Sequence, residues 1–528
     1  MIDLLRALAA SMRVELLRVI VAALLLMSAA YLLYLSFAYY NAQSIPRYRL
    51  ESGWFVFAFL CAISVVTMGR GSSWEKATRN EALGTSSFVV GASVSTAAAF
   101  LLYWPTLSMG VLSDDYVLSA VAIGDRNWLG ADWYFRPVPI LLWRAFFAVG
   151  LGSMSLHVFN VALHAANAVL TAIIALRLGA PKRVAVGGAM LFLVFPASVE
   201  AVGWASGVQD VVLTTLGLLF VLAVGAFPNP PWTVTGLIAF GLALGTKESA
   251  VVLPVLAAVT YWRGPASHAT RRRWTAIWVP LTGAAIFTVW RLTSAGDTGF
   301  MVPPSRYLFQ RMLSLTYGSL GVPWHGDELV EAPSFAFLWV TGITVAILVS
   351  ALRALWSGAT GTGAVRFALW IALAVAPVYS MFFVSPDLQG SRYLYLATPA
   401  WGILFASILD DLRFRNSKAP VLCALLVVGV VSAVGVRLHV KPWLQAATLR
   451  DSVLEDASRV LANTDCALVG FAGLPDSVDG AYVFRNGFHE ALAAQTIRRD
   501  VEVAASVELA PVGCRYEWAG EAFEISMR

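Results

Sequence analysis

Two adjacent aspartates, Asp114 and Asp115, are the strongest candidates for chemistry in this sequence, and they directly follow a long apolar run. Two adjacent carboxylates beside an apolar segment are energetically costly unless they are solvated or form ion pairs. One of them could remove a hydroxyl proton as a general base. The other would then position a substrate or help to bind a divalent cation. The structural alternative is that Asp114 caps a helix and Asp115 is solvated.

Polar and charged residues recur where other apolar runs end. Arg136 precedes Pro137, Lys247 and Glu248 separate two short apolar runs, and Arg392 precedes a further one. Each cluster alone is also typical of an anchor at the membrane interface. Their arrangement on one side of a bilayer would instead favour a common site. The polar residues expected to line its cavity are His157, Asn160, Glu200, Trp204, Glu248 and Tyr393.

Four polar residues inside one apolar run share a helical stripe. His157, Asn160, His164 and Asn167 follow each other at intervals of three, four and three positions. This spacing places them on one face of a helix. Polar residues within a membrane helix usually face the interior and form hydrogen bonds with neighbouring helices. A structural role is therefore favoured for this stripe over a direct part in chemistry.

The elements that must position these residues are membrane helices. Hydrophobic residues make up 58% of the chain and charged residues 13%, and the mean hydropathy is +0.71. This composition excludes a water-soluble fold, and the net charge of +5 does not indicate nucleic-acid binding. Because a span needs about 20 apolar residues, thirteen segments qualify. They lie near residues 16–38, 53–69, 87–112, 156–176, 184–199, 210–227, 232–246, 249–262, 275–293, 333–352, 367–385, 392–409 and 419–436.

The sequence thus predicts an α-helical polytopic membrane protein with about thirteen transmembrane helices and a small C-terminal α/β domain. We expect the first helix to be retained, since its apolar run is too long for a signal peptide. Lys and Arg are more frequent in alternate loops, which places the N-terminus inside. The large exterior loops are then 113–155, with amphipathic interfacial helices, and 294–332. The predicted domains are 1–85 with two additional helices, 86–437 as the core, and the extracytoplasmic 438–528.

The cysteines fall into two groups. Cys61 and Cys423 lie in apolar runs and are expected to be buried hydrophobic residues. Cys466 and Cys514 lie in the polar C-terminal segment. If that segment faces an oxidising compartment, they are expected to form a disulfide. The alternative is two unrelated buried thiols.

A collinear set of motifs resembles glycosyltransferase superfamily C over residues 90–410. The set comprises Asp-Asp, Arg-Pro, His-x-x-Asn-x-x-x-His, Pro-x-x-x-Glu-Ala-Val, Lys-Glu and Arg-Tyr-Leu-Tyr-Leu. Each motif is unspecific alone, but the order is specific. The sequence looks most similar to transmembrane O-mannosyltransferase-like proteins and their bacterial relatives, without their TPR repeats. It differs from them in having Phe195 in place of a histidine and Ser391 in place of a glutamate.

The resemblance implies an inverting glycosyltransferase in a bacterial inner membrane, with the active site facing outward. Its donor would be a polyprenyl-phosphate hexose or pentose, and its acceptor a protein, a surface glycan or a lipid. Asp114 or Asp115 would be the catalytic base. No metal-ligand cluster is evident, although the aspartate pair leaves a divalent cation open. The residues expected to bind the leaving phosphate are Arg136, Lys247 and Arg392, with Arg306 and Arg311 behind them.

Two other classes of function fit parts of the sequence. A polyprenyl-linked glycan polymerase or ligase would use Arg and His in a late exterior loop, such as 294–332. A transporter or lipid flippase would place charges near the middle of the bilayer, on paired broken helices. The aspartate pair and the positions of the charges at helix ends favour the glycosyltransferase.

Overall fold

The structure is a computed structural model that describes most of the chain. The described residues are 2–42, 44–68, 85–124, 136–226, 230–261, 268–294, 318, 333–357, 361–378, 384–385, 387–411, 419–495, 502–503 and 514–525. Most of the exterior loop predicted at 294–332, including Arg306 and Arg311, lies outside them.

Seventeen α-helices are formed within these ranges. They are α1 (Ile2–Tyr40), α2 (Arg47–Met68), α3 (Thr85–Tyr103), α4 (Asp114–Ile123), α5 (Pro137–Ala148), α6 (Ser153–Arg177), α7 (Lys182–Leu193), α8 (Val199–Gly203), α9 (Val208–Ala226), α10 (Pro230–Leu244), α11 (Leu253–Thr260), α12 (His268–Ser294), α13 (Pro333–Ser357), α14 (Gly361–Val375), α15 (Thr398–Asp411), α16 (Ala419–Asn463) and α17 (Phe488–Gln495). Short 3₁₀ segments cover Trp104–Ser108, Pro196–Ser198, Ala205–Gly207, Glu248–Val252, Ala376–Val378 and Ser391–Ala397.

Six helical segments in the described part of the chain are long and apolar enough to cross a membrane. A seventh span results if Lys182–Leu193 and Pro196–Gly203, which meet at a bend of 54°, are one broken helix. Pro196 explains this break, since proline cannot continue the hydrogen bonding of the preceding helix. Each of the thirteen predicted segments overlaps a helix, but several of these helices are short, so the number of about thirteen spans is not confirmed.

Large apolar side chains face outward along these helices, as expected for an integral membrane protein. Met27 on α1, Leu101 on α3 and Leu422 on α16 are 68%, 76% and 68% exposed. A water-soluble protein would not present such a surface over several helices. Inside the bundle, α7 and α15 approach closely, because a Cβ on Gly402 would lie 2.3 Å from the carbonyl oxygen of Gly188. Small residues permit this packing between membrane helices.

Helix α16 continues through the boundary at 437/438 that we predicted between core and tail. It runs without interruption over 45 residues, with Pro442 inside it. The residues beyond 438 are more polar, but Trp443, Val453 and Leu461 remain buried at helical spacing. This second half of the helix packs against the tail and therefore joins it to the membrane helices.

The tail carries a small mixed sheet and a hairpin. Its strands are β1 (Leu468–Ala472), β2 (Ser477–Val478), β3 (Ala481–Tyr482), β4 (Glu502–Val503), β5 (Cys514–Trp518) and β6 (Phe523–Ile525). The sheet order is β4-β1-β5-β6, in which β1 is parallel to β4 and β5, while β5 and β6 are antiparallel. Strands β2 and β3 form the hairpin. A disulfide joins Cys466 and Cys514, whose Cα atoms are 6.0 Å apart.

Candidate active site

Asp115 lies at the start of α4 and is fully buried. Its carboxylate accepts hydrogen bonds from the backbone N–H of Leu112, at 2.8 Å, and of Ser206, at 2.7 Å. The Ser206 hydroxyl also donates to it. Burial raises the pKa of Asp115 to about 7, although these hydrogen bonds act in the opposite direction. The residue therefore holds residues 110–115, here called the aspartate loop, against the turn at 204–207.

Asp114 points away from its neighbour and toward the tail. It is half-buried, and its Oδ1 accepts a hydrogen bond of 2.6 Å from Nδ2 of Asn486. Two adjacent side chains at the start of a helix point in different directions. Asp115 is thus committed to internal contacts, whereas Asp114 lies at an accessible surface.

The turn between α8 and α9 is shaped by glycine. A Cβ on Gly207 would lie 2.1 Å from the carbonyl oxygen of Ala201, so only glycine fits there. This turn presents Trp204, whose indole N–H donates to the carbonyl oxygen of Leu112 over 3.1 Å. The turn and the aspartate loop are therefore bonded to each other at two points, Asp115–Ser206 and Leu112–Trp204.

Arg392 packs against Trp204 of the same turn. Its guanidinium lies 4.7 Å from the ring centre of Trp204 and 5.2 Å from that of Tyr393. Its Nε is 3.4 Å from Oε1 of the buried Glu200, and its backbone N–H donates to Oε2 over 3.2 Å. Glu200 thereby fixes the position of the segment that carries Arg392.

Lys247 is almost fully buried beside α9. Its Nζ lies 2.5 Å from Oδ1 of Asp210 and 4.7 Å from the ring centre of Tyr393. Burial lowers the pKa of Lys247 to about 8, although Asp210 acts in the opposite direction. Tyr393 therefore contacts both Lys247 and Arg392, so the two cations share one aromatic ring.

Arg136 and Glu248 form a second ion pair near Lys247. Nη2 of Arg136 is 2.9 Å from Oε2 of Glu248, and Nη1 also donates to Gln209. Nη2 of Arg291 lies 3.5 Å from the other oxygen of Glu248. Adjacency in sequence would pair Lys247 with Glu248, but the backbone at Lys247 is extended, so the two side chains point to different partners.

The ion pairs around the turn nearly balance in charge. Among the described residues, four cations are paired here with three carboxylates. An anion entering here would share the existing donors of arginine and lysine, which each have several N–H groups. The cations are Arg136, Lys247, Arg291 and Arg392, and the carboxylates are Glu200, Asp210 and Glu248.

The polar stripe on α6 is fully buried and bonded mostly to backbone. The two ring nitrogens of His157 lie 2.9 Å and 2.8 Å from the carbonyl oxygens of Gly203 and Gly110. Asn160 donates to the carbonyl oxygen of Trp204 over 2.9 Å. His157 and Asn160 therefore hold the turn and the aspartate loop in place, as expected of hydrogen bonding between helices. His164 and Asn167 contact the Tyr395 hydroxyl instead.

Several residues of this region were not among our candidate site residues. Asp210 could have been found, since a carboxylate inside an apolar run requires a partner. Ser206 has no such signal, and neither do Tyr482 and Asn486, because the tail shows no motif that connects it to the membrane helices. Within the described residues, no group of three or more His, Cys, Asp or Glu side chains is arranged to hold a metal ion.

No protein-family model matches the chain, and no curated protein sequence does either. Among solved structures, it is similar to the arabinofuranosyltransferase AftD from mycobacteria, with a TM-score of 0.46 and 14% identity over 80% of this chain and 32% of that one. It is also similar to ArnT from Cupriavidus metallidurans bound to undecaprenyl phosphate, with a TM-score of 0.43 and 15% identity over 80% and 90% of the two chains. The chain thus spans about a third of the length of AftD.

Proposed function

We propose that this protein is a membrane glycosyltransferase that moves a sugar from a polyprenyl phosphate to an acceptor hydroxyl. One observation carries the proposal, namely an unbroken series of contacts from the aspartate loop to two cations. Asp115 bonds to Ser206 in the turn, Trp204 of that turn stacks on Arg392, and Tyr393 contacts both Arg392 and Lys247. Segments more than 270 positions apart in sequence are thereby joined. A carboxylate base and phosphate-binding cations are the groups that such a transfer needs.

Asp114 is the residue that we assign as general base. In an inverting displacement, the acceptor oxygen forms a bond to the anomeric carbon while the bond from that carbon to the phosphate oxygen breaks. The hydroxyl proton passes to the Asp114 carboxylate, and the electron pair of the broken bond leaves with the phosphate. Asp115 holds the loop in place, because its oxygens already accept hydrogen bonds from Leu112 and Ser206.

Arg392 and Lys247 are assigned to the leaving phosphate, with Arg136 behind them. Glu200 and Asp210 keep both cations oriented before the donor binds. Charge-assisted hydrogen bonds from such preorganised groups are short and strong. Arg306 and Arg311 remain candidates in the part of the chain that is not described.

The site is assigned to the extracytoplasmic side of a bacterial inner membrane. The tail packs over the aspartate loop and contains a disulfide, which is stable in an oxidising compartment. Residues 1–85 are assigned as additional helices, 86–437 as the catalytic core, and 438–528 as the extracytoplasmic domain. The sugar is a hexose or a pentose, and the acceptor a protein, a surface glycan or a lipid.

The test is to incubate purified protein in detergent with radiolabelled polyprenyl-phosphate sugars and to follow transfer of the sugar to water or an acceptor. General base catalysis contributes about 10²- to 10⁴-fold, so Asp114→Asn should reduce turnover on that order while donor binding is retained. The matched control is Asp465→Asn, at an exposed carboxylate of the tail. No transfer from any donor, or near-normal turnover in both Asp114→Asn and Asp115→Asn, would overturn the proposal.

A further inference from the structure

Asn486 in the tail contacts the aspartate loop through both its side chain and its backbone. Its amide Nδ2 donates to Oδ1 of Asp114 over 2.6 Å. Its backbone N–H donates to the hydroxyl of Ser113 over 3.3 Å. The two segments are 372 positions apart in sequence, so the contact depends on the whole fold.

The tail seats closely on the residue before Asp114. The backbone N–H of Ser113 donates to the carbonyl oxygen of Val483 over 3.0 Å. A Cβ on Gly487 would lie 2.4 Å from the Ser113 carbonyl oxygen, so only glycine permits this approach. Ser113 itself has a φ of 49°, which is unfavourable for residues other than glycine. Such a conformation persists only where surrounding contacts enforce it.

Residues 482–487, here called the tip of the tail, also contact the proposed phosphate-binding residue Arg392. The Tyr482 ring lies 5.0 Å from that of Trp204, and the Arg392 guanidinium lies 5.8 Å from the Tyr482 ring centre. Arg485 lies 4.7 Å from that ring centre and donates to the side chain of Gln389 over 3.3 Å. The tip therefore spans the distance between the aspartate loop and the segment that carries Arg392.

From this geometry we propose that Asn486 is a positioning residue for Asp114. Its amide fixes Oδ1 and so presents Oδ2 to the hydroxyl of the acceptor. This inference rests on the proposed function, in which Asp114 is the base. A half-buried carboxylate can rotate unless one of its oxygens is hydrogen-bonded. A base that is held in the correct orientation toward the proton of the acceptor hydroxyl reacts faster. The acceptor therefore binds against the tail, at the surface between Asn486 and the aspartate loop.

The first experiment measures kcat and the KM for donor in Asn486→Ala and Asn486→Asp. Loss of one hydrogen bond to a charged group should lower kcat about 10- to 100-fold. The KM for donor should stay within about 2-fold, because Asn486 is not assigned to the donor phosphate. Asn486→Asp keeps the shape of the side chain, but its carboxylate donates no hydrogen bond, so its kcat should fall at least as far. Asn463→Ala removes an asparagine whose amide bonds only within α16, to the Arg459 carbonyl oxygen, and should leave kcat unchanged.

The second experiment combines Asn486→Ala with Asp114→Asn. If Asn486 acts through Asp114, the double variant should be no slower than Asp114→Asn alone. Full multiplication of the two defects would overturn the positioning role, and so would normal kcat in Asn486→Asp. Normal turnover in Asp114→Asn would instead overturn the assignment of Asp114 as the base, and no transfer from any donor would overturn the proposed function, so the failures are distinguishable. An intact disulfide and an unchanged unfolding temperature verify that the tail of each variant is folded. If the tail of Asn486→Ala is not folded, the test rests on Asn486→Asp.

Discussion

Lys247 and Asp210 form an ion pair in which Nζ lies 2.5 Å from Oδ1 and the two side chains are only 6% and 8% exposed. Neither charge has much contact with solvent, so each depends on the other. Their attraction repays the loss of hydration only while both partners are present. Because the stability depends on the pair, removing both charges distinguishes the contribution of Lys247 to stability from its proposed contribution to donor binding.

Lys247→Met should destabilise the protein by about 3–5 kcal/mol, because it leaves a buried carboxylate unpaired. Adding Asp210→Asn removes that carboxylate charge and should restore most of the unfolding temperature in detergent. Affinity for the polyprenyl-phosphate donor should remain low in the double variant. If the double variant binds donor normally, Lys247 is not a ligand of the phosphate.

Donor affinity should decrease at alkaline pH. The pKa of Lys247 is lowered to about 8, so its positive charge is present below that pH and lost as the pH rises through it. The Kd for donor should therefore increase about 5-fold between pH 8 and 9. Lys247→Arg is the control, since a guanidinium stays charged throughout this range and should abolish the increase. An identical pH profile in both proteins would exclude Lys247 as its source.

Arg392→Ala should weaken donor binding by about 10-fold or more, as expected for the loss of a charge-assisted contact. Arg392→Lys keeps the charge but loses the planar group that stacks on Trp204 and Tyr393, so its affinity should be intermediate. Binding of radiolabelled donor measures both. Arg459→Ala, at a side chain that is 60% exposed on α16, is the matched control.

Asp115 should make stability depend on pH. Its pKa is raised from 3.8 to about 7 by burial, so the folded protein binds a proton that the unfolded chain releases over this range. The associated stabilisation is complete below pH 3.8 and is lost as the pH rises to about 7. Asp115→Asn cannot titrate. The unfolding temperature of the native protein, relative to that of Asp115→Asn, should therefore fall from pH 4 to 7, and a constant difference would contradict the assignment.

The disulfide should stabilise the tail. It closes a loop of 48 positions, which corresponds to about 4 kcal/mol in the chain-entropy view. Under denaturing conditions without reductant, alkylation should label only Cys61 and Cys423, and reduction should expose two more thiols. The Cys466→Ser and Cys514→Ser double variant should lower the unfolding temperature. Four labelled thiols before reduction, in protein from an oxidising compartment, would contradict the bond.

The sequence indicated the polar clusters as candidates, but it could not predict the partners of their side chains. Apolar runs and their charged ends are local signals, so Asp114, Lys247 and Arg392 could be found directly. The partner of Lys247 is Asp210 and not the adjacent Glu248, because an extended backbone directs neighbouring side chains apart. Pairing across helices depends on how helices rotate about their axes, and hydropathy does not determine that rotation.

The boundary between core and tail was harder to predict for a different reason. A change from apolar to polar composition near residue 437 suggested a domain boundary. The backbone hydrogen bonds of a helix do not depend on that change, and α16 continues to Asn463. The tail then folds back onto the aspartate loop. Nothing near Asn486 in the sequence indicates this contact, since a single asparagine is typical of any surface turn.

The hydrogen bond between Ser113 and Val483 also has a consequence for biosynthesis. The ribosome adds about 5–20 residues per second, and the two residues lie about 370 positions apart in the chain. The aspartate loop is therefore translated on the order of half a minute before the segment that contains Val483. Under the proposed function, a nascent chain inserted in the membrane has its donor-binding helices before it has an oriented base, and we expect it to be inactive until its own tail has been translated and folded.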